Sequence, residues 1–192
     1  MSRAKLRLVA KLALALRDHD NNPGKDRIQR ALRAFRQACE APYLDERLHE
    51  FVRCAEGFAN PPFGQSAVHF AARLSRLCAG RSRHDLKQLY AIRSGIEHLH
   101  GLESRLPKVS KRRRFQLMLM RCAQAEALAR HLLTTYLLNP ALWRHFRDRS
   151  AIDAFWALPP SKLRGLWPSR LGLASVVRHF DSDEVRRRES EL

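Results

Sequence analysis

The stretch KRRRFQLMLMRCAQAEALARHLLTTYLL, residues 111–138, decides the class of fold. Leu, Ala and Arg dominate it, and these are good helix formers. Asn139-Pro140 stops it, because proline cannot continue a helix. The stretch predicts the longest helix of the chain. Alternating runs of Val, Ile and Thr, the mark of strands, are nearly absent elsewhere. The fold class expected is therefore all-α, a helical bundle.

Outward from there, the other segments read the same way. Residues 3–17 form an amphipathic helix with Leu6, Val9, Leu12, Ala13 and Leu16 inward. A polar turn with an Asn-Pro-Gly break leads to a helix over 25–40, with Ile28, Leu32, Phe35 and Cys39 inward and Arg27, Arg30, Arg33 and Arg36 outward. That arginine series is either a solvated exterior or a phosphate-facing one. Pro42 precedes a helix over 44–58 carrying Leu48, Phe51, Val52 and Ala55 inward, and Asn60-Pro61-Pro62-Phe63-Gly64 is a firm loop. Residues 65–79 make a fourth helix, with Val68, Ala72 and Leu77 apolar and Gly80 as its cap. A fifth opens at Ser82 or His84 and ends between Gly95 and Gly101. Residues 141–157 are helical again until Pro159-Pro160.

The chain has 192 residues, 45% hydrophobic, enough for a core without disulfides. Its 36 Lys+Arg against 19 Asp+Glu give +17. Such a surplus repels itself in a compact state and usually meets a polyanion. It is also patterned: residues 1–40 carry +6, 41–100 carry +2, 101–149 carry +8 and 150–192 carry +1. Cys39, Cys54, Cys78 and Cys122 show no C-x-x-C pair and read as buried free thiols in a reducing compartment. Lys11 interrupts the first apolar stretch, which argues against a secretory signal, and no apolar run approaches a membrane span. The expected setting is cytoplasmic, with no membrane partner.

The segment with chemistry is His84-Asp85-Leu86-Lys87-Gln88-Leu89-Tyr90-Ala91-Ile92-Arg93-Ser94-Gly95-Ile96-Glu97-His98-Leu99-His100-Gly101. Its Leu-Tyr-x-x-Arg-Ser pattern, followed after a short spacer by His98, resembles the signature of HEPN domains, and within them the Apea-like branch. Ala55-Glu56-Gly57-Phe58, Ala71-Ala72-Arg73-Leu74 and Ala125-Glu126-Ala127-Leu128-Ala129-Arg130 are similar to that family's flanking helices. The resemblance covers about residues 43–158. It implies a HEPN-like bundle over 41–160, preceded by an extra basic helical pair over 1–40 and followed by a partly flexible extension over 161–192.

The same resemblance implies a metal-independent endoribonuclease, with Arg93, Ser94 and His98 catalytic and Tyr90, Glu97 and His100 in support. It further implies RNA as substrate, a 2′,3′-cyclic phosphate product, a homodimer with two motifs across one cleft, and a defence or toxin-like role with a regulatory or larger-complex partner. The chemistry suits the residues. Attack by the RNA 2′-hydroxyl needs proton transfer and a cation on the crowded phosphate. An imidazole titrates near neutrality, and a guanidinium stays charged and forked. No cofactor or metal is demanded. Leu99-His100 departs from the family's pattern, which often has Gly directly after the His.

Geometry sets a condition. Five positions of ideal helix leave Arg93 and His98 roughly 140° apart. They converge only if the helix ends or bends between them, for which Gly95 is suited, or if they meet across a dimer. Beyond them, Lys108 and the run Lys111-Arg112-Arg113-Arg114 sit at the start of the long helix. That is the positive end of its dipole, so an anionic backbone is a reasonable partner there. Phe115 reads as packing with Leu117 and Leu119, not as a base-stacking group. The rival expectation is a non-catalytic, HEPN-like module that binds nucleic acid or scaffolds a larger complex.

Overall fold

Two helices at the centre of the molecule cross closely because their facing side chains are small. Ala31 of α2 (Asp26–Glu40) lies against Gly57 of α3 (Leu44–Ala59), where an added Cβ would come within 2.6 Å of the Ala31 Cβ. The computed structural model describes residues 2–20, 26–98 and 110–178. Among these the chain is all-α. The remaining helices are α1 (Arg3–Asp20), α4 (Ser66–Leu74), α5 (Arg83–Glu97), α6 (Lys111–Leu138), α7 (Arg149–Ala157), α8 (Pro160–Leu166) and α9 (Leu173–Val177). No helix among the described residues is long and apolar enough to cross a membrane.

α3 is the hub, packing against α2, α5 and α6. Its Leu48, Phe51, Val52 and Ala55 are fully buried, as their spacing predicted, and Phe58 is buried with them. Leu128, Leu132 and Tyr136 of α6 complete one continuous core with Phe146, Phe155 and Trp167. That core reaches into α2 through Ile28, Ala31, Ala34 and Ala38, and past α7 through Leu163, Trp167 and Leu173. The segments assigned to an N-terminal pair and a C-terminal extension thus share it.

The buried face of α2 differs from the expected one by about one residue. Ala31, Ala34 and Ala38 face inward, Leu32 and Phe35 flank them half-buried, and Cys39 is exposed. The physical reason is the close crossing on Gly57: only small side chains fit the line of contact, so the large ones straddle it. Gly57→Ala is therefore expected to destabilise by about 1–3 kcal/mol, the cost of overpacking, despite alanine's better helix propensity. Urea unfolding checks this, and an unchanged midpoint would show that the helices part freely.

α1 departs further from expectation. It docks on α6 through Leu12, Ala15 and the buried His19, at helical spacing. Leu6, Val9, Ala13 and Leu16, expected inward, are exposed, because the docking face is set by His19 packing edge-on against Tyr136 and Trp143.

The expected fourth helix shortens to Leu74, with a 3₁₀ turn over Ser75–Leu77, and buries Phe70, Ala71 and Leu74 while Val68 stays exposed. Gly80 has φ +69, a backbone only glycine adopts readily. The stretch 141–157 is split. A 3₁₀ segment runs over Pro140–Phe146, then Asp148 accepts the Ala151 N–H at 2.8 Å and starts α7. All four cysteines are free thiols. Burial raises Cys54 and lifts Cys78 and Cys122 to about 11, so these three are unreactive at neutral pH.

Candidate functional site

One carboxylate lies in an otherwise apolar turn of α3: Glu56, between the buried Ala55 and Gly57. α5 packs beside it and presents Tyr90 and Arg93, three residues apart and so on one face. The Arg93 guanidinium forms an ion pair with Glu56 at 3.1 Å and pairs also with Glu97 one turn on. It lies 5.7 Å from the Tyr90 ring centroid. Burial raises the Tyr90 pKa, with Ser66 and Arg93 opposing it and Glu56 adding to it. The Arg93 side chain is only 13% exposed. Burial raises the pKa of the Glu56 carboxyl, opposed by Arg93 and by the Tyr90 hydroxyl. Arg93, Tyr90 and Glu97 are thus brought together, with Glu56 as a member the motif did not name.

His98 closes the helix that carries Tyr90, Arg93 and Glu97. α5 runs without a bend through Gly95 and ends at Glu97, so of the two local conditions the helix ends between Arg93 and His98 rather than bending. The glycine is buried within the helix. His98 follows as the C-cap, exposed, its backbone N–H donating to the half-buried Ser94's carbonyl at 3.2 Å. With five helical steps between them, Arg93 turns toward α3 while His98 stands at the exposed end. His100 and Lys108 lie outside the described residues.

The basic run begins α6 as expected. Ser110 caps the helix, its Oγ accepting the Arg113 N–H at 3.4 Å, and Lys111, Arg112 and Arg113 are exposed while Arg114 is half-buried. No acidic side chain occupies that first turn, so three solvent-facing cations add to the positive end of the dipole.

Other arginines turn inward onto backbone carbonyls. Arg27 donates to Gly57 and Glu56 carbonyls at 3.2 and 3.3 Å, so this member of the α2 series is not part of a solvated face. Arg73 caps the end of α3 through the Ala59 and Asn60 carbonyls at 2.8 and 2.7 Å. Arg76 does the same for the end of α7 through Trp156 and Leu158. These satisfy the orphan carbonyls of helix C-termini, and they remove charge from the available surface.

Around Glu56 the structure opens two clefts, of about 200 and 270 Å³, both lined by Arg27 and Glu56. The first adds Arg30 and Arg53, and the second Asn60, Phe63, Ser66 and Arg149. Sequence reading missed Glu56, Arg53, Phe63 and Arg149 as a group because separate elements supply them. The one available signal was a lone acid within the apolar run Cys54-Ala55-Glu56-Gly57-Phe58-Ala59. Among the described residues no group of three His, Cys, Asp or Glu side chains is placed to hold a metal ion. Comparison with models of known families, with curated proteins and with solved structures finds no match for this chain.

Proposed function

We propose that the protein is a metal-independent endoribonuclease of the HEPN kind, cleaving RNA through its own 2′-hydroxyl to leave a 2′,3′-cyclic phosphate, and that two copies complete its pocket. The observation that carries this is the disposition of Arg93 and His98 about one helix end. The imidazole stands at the exposed terminus and the guanidinium is held one turn back on another side. A reaction needing both takes Arg93 from one chain and His98 from the next. Glu56 fixes the guanidinium from the protein side, while the exposed Glu97 is the weaker partner. An exposed i,i+4 pair is worth about a few tenths of a kcal/mol, so a phosphate can take its place. The exposed Lys111, Arg112 and Arg113 supply cations for the RNA backbone. A defence or toxin-like role follows only by analogy with the family.

A second reading is a non-catalytic nucleic-acid-binding or scaffolding module. It is favoured by the same guanidinium: with two carboxylates already on it, Arg93 has the surroundings of a structural strut. Digestion of single-stranded RNA in EDTA separates the two. Wild type is expected to cut and His98→Ala to lose activity by about 10²-fold or more. Mixing His98→Ala with Arg93→Gln is expected to restore roughly a quarter of the activity, since half the dimers regain one of two pockets. Activity that survives His98→Ala would refute the nuclease reading, and absent restoration would refute the shared pocket.

A further inference from the structure

We propose that the cleft beside Phe63 is a subsite for an unpaired nucleobase of single-stranded RNA, an inference that rests on the RNA reading above. Phe63 is 102% exposed, the most exposed large apolar side chain among the described residues. A lone exposed apolar residue is ordinary. This one differs in how its loop is held and in what surrounds it.

The loop is pinned at both ends. Asn60 takes the left-handed conformation at φ 46, and its Nδ2 donates to Asp153 at 3.0 Å and to the Arg149 carbonyl at 3.5 Å. Arg73 holds the Ala59 and Asn60 carbonyls and also pairs with Asp153 at 2.9 Å. Pro61 and Pro62 fix two successive φ angles, and the Ser66 hydroxyl donates to the Pro62 carbonyl at 2.9 Å. The ring therefore stands in water on a rigid mount, so a stacking partner meets little ordering cost.

The cleft it borders, about 270 Å³, is lined also by Arg27, Glu56, Ser66 and Arg149. Arg27 is half-buried, and Arg30 and Arg149 are near enough that their charge, after burial itself, depresses its pKa. Glu56 and Asp153 offset part of that repulsion, and Arg149 on the cleft rim remains a cation that a phosphate can approach. The combination is an aromatic face for a base, the Arg149 guanidinium for its phosphate, and a hydroxyl and a carboxylate for its polar edge. Duplex RNA hides its base faces, so the recognised form is single-stranded. An acidic peptide would use the guanidinium but gain nothing from the ring.

The test is binding of a short labelled RNA, single-stranded or annealed, to the full chain carrying His98→Ala so that no substrate is consumed. Phe63→Ala in that background is expected to weaken single-stranded binding by about ten-fold or more, with the salt slope and duplex affinity unchanged. Phe63→Trp is expected to restore affinity, with its fluorescence quenched by the single strand. Arg149→Gln is expected to weaken both forms and lower the salt slope by about one. If the His98→Ala chain binds RNA and Phe63→Ala binds it equally well, the subsite is wrong while the RNA reading stands. Binding to neither RNA, or polyglutamate held as tightly as RNA, overturns both.

Discussion

Replacing Trp167 with alanine is expected to cost about 3–5 kcal/mol, the range for deleting a large buried aromatic. The indole is 1% exposed and packs against Phe58, Phe146 and Phe155, with centroid separations of 6.4, 6.4 and 6.3 Å. Its Nε1–H donates to His131 at 3.2 Å, which suits a neutral imidazole, and burial lowers the His131 pKa accordingly. The change opens a cavity where α3, α6 and α7 meet and leaves a half-buried acceptor without its donor. Total stabilities of domains are about 5–15 kcal/mol, so the variant is expected to be largely unfolded in mild urea, where the wild type persists. Loss of far-ultraviolet helix signal against urea measures this. A cost below about 1 kcal/mol would mean that the segment after α8 docks on the core without bearing on it.

That Trp167 belongs to the core was hidden in the sequence for a specific reason. Pro159-Pro160 reads as an end of packed structure, and the residues beyond lack a long apolar period. In fact Pro160 serves as the first residue of α8, where its missing N–H costs nothing. The chain then returns to run beside Cys78, with Ala79 N–H donating to the Leu171 carbonyl at 2.8 Å. α3 and α6, by contrast, were legible nearly to the residue, because long periodic runs and clear stops coincide there. α2 was legible as a helix but not in its orientation. Hydrophobicity ranks Leu32 and Phe35 above alanine, whereas the crossing is chosen by size against Gly57.

Arginines were the least legible part. Arg121 follows the exposed Arg113 in the same helix, α6, yet is 7% exposed, bonded to Asp85 at 2.8 Å and to Gln88 and Gln124. In a one-dimensional reading Arg121 and Arg113 look alike, and only the helix that packs over each decides which faces water. The same holds for Arg27, turned onto the end of α3, beside its neighbour Arg30 in α2. The net charge of +17 is therefore an upper bound on what a polyanion can meet. The part that counts is the exposed start of α6 and the rim of the clefts around Glu56.

Arg93→Ala is the second large effect expected, and its pH dependence distinguishes a strut from a phosphate ligand. Removing the guanidinium leaves the Glu56 carboxylate, on a side chain 16% exposed, without its paired cation, with only the weaker influence of Arg27 remaining. Breaking one partner of a shielded pair costs roughly 2–4 kcal/mol near neutral pH. In the wild type burial already raises the Glu56 pKa while Arg93 pulls it down, so without Arg93 it rises further. A carboxyl whose folded pKa is raised stabilises the protein fully below its unfolded value of about 4.5, and that contribution is lost as pH rises through the folded pKa. The Arg93→Ala chain is therefore expected to regain stability on acidification toward pH 5 relative to wild type. Adding Glu56→Gln is expected to recover most of the loss at pH 7 and to flatten the pH dependence, giving a coupling energy of about 1–3 kcal/mol in the double-mutant cycle. If Arg93→Ala instead unfolds at the same urea concentration as wild type from pH 5 to 8, Glu56 does not depend on Arg93. The guanidinium would then be held at no structural cost, which is what a group kept for phosphate alone requires.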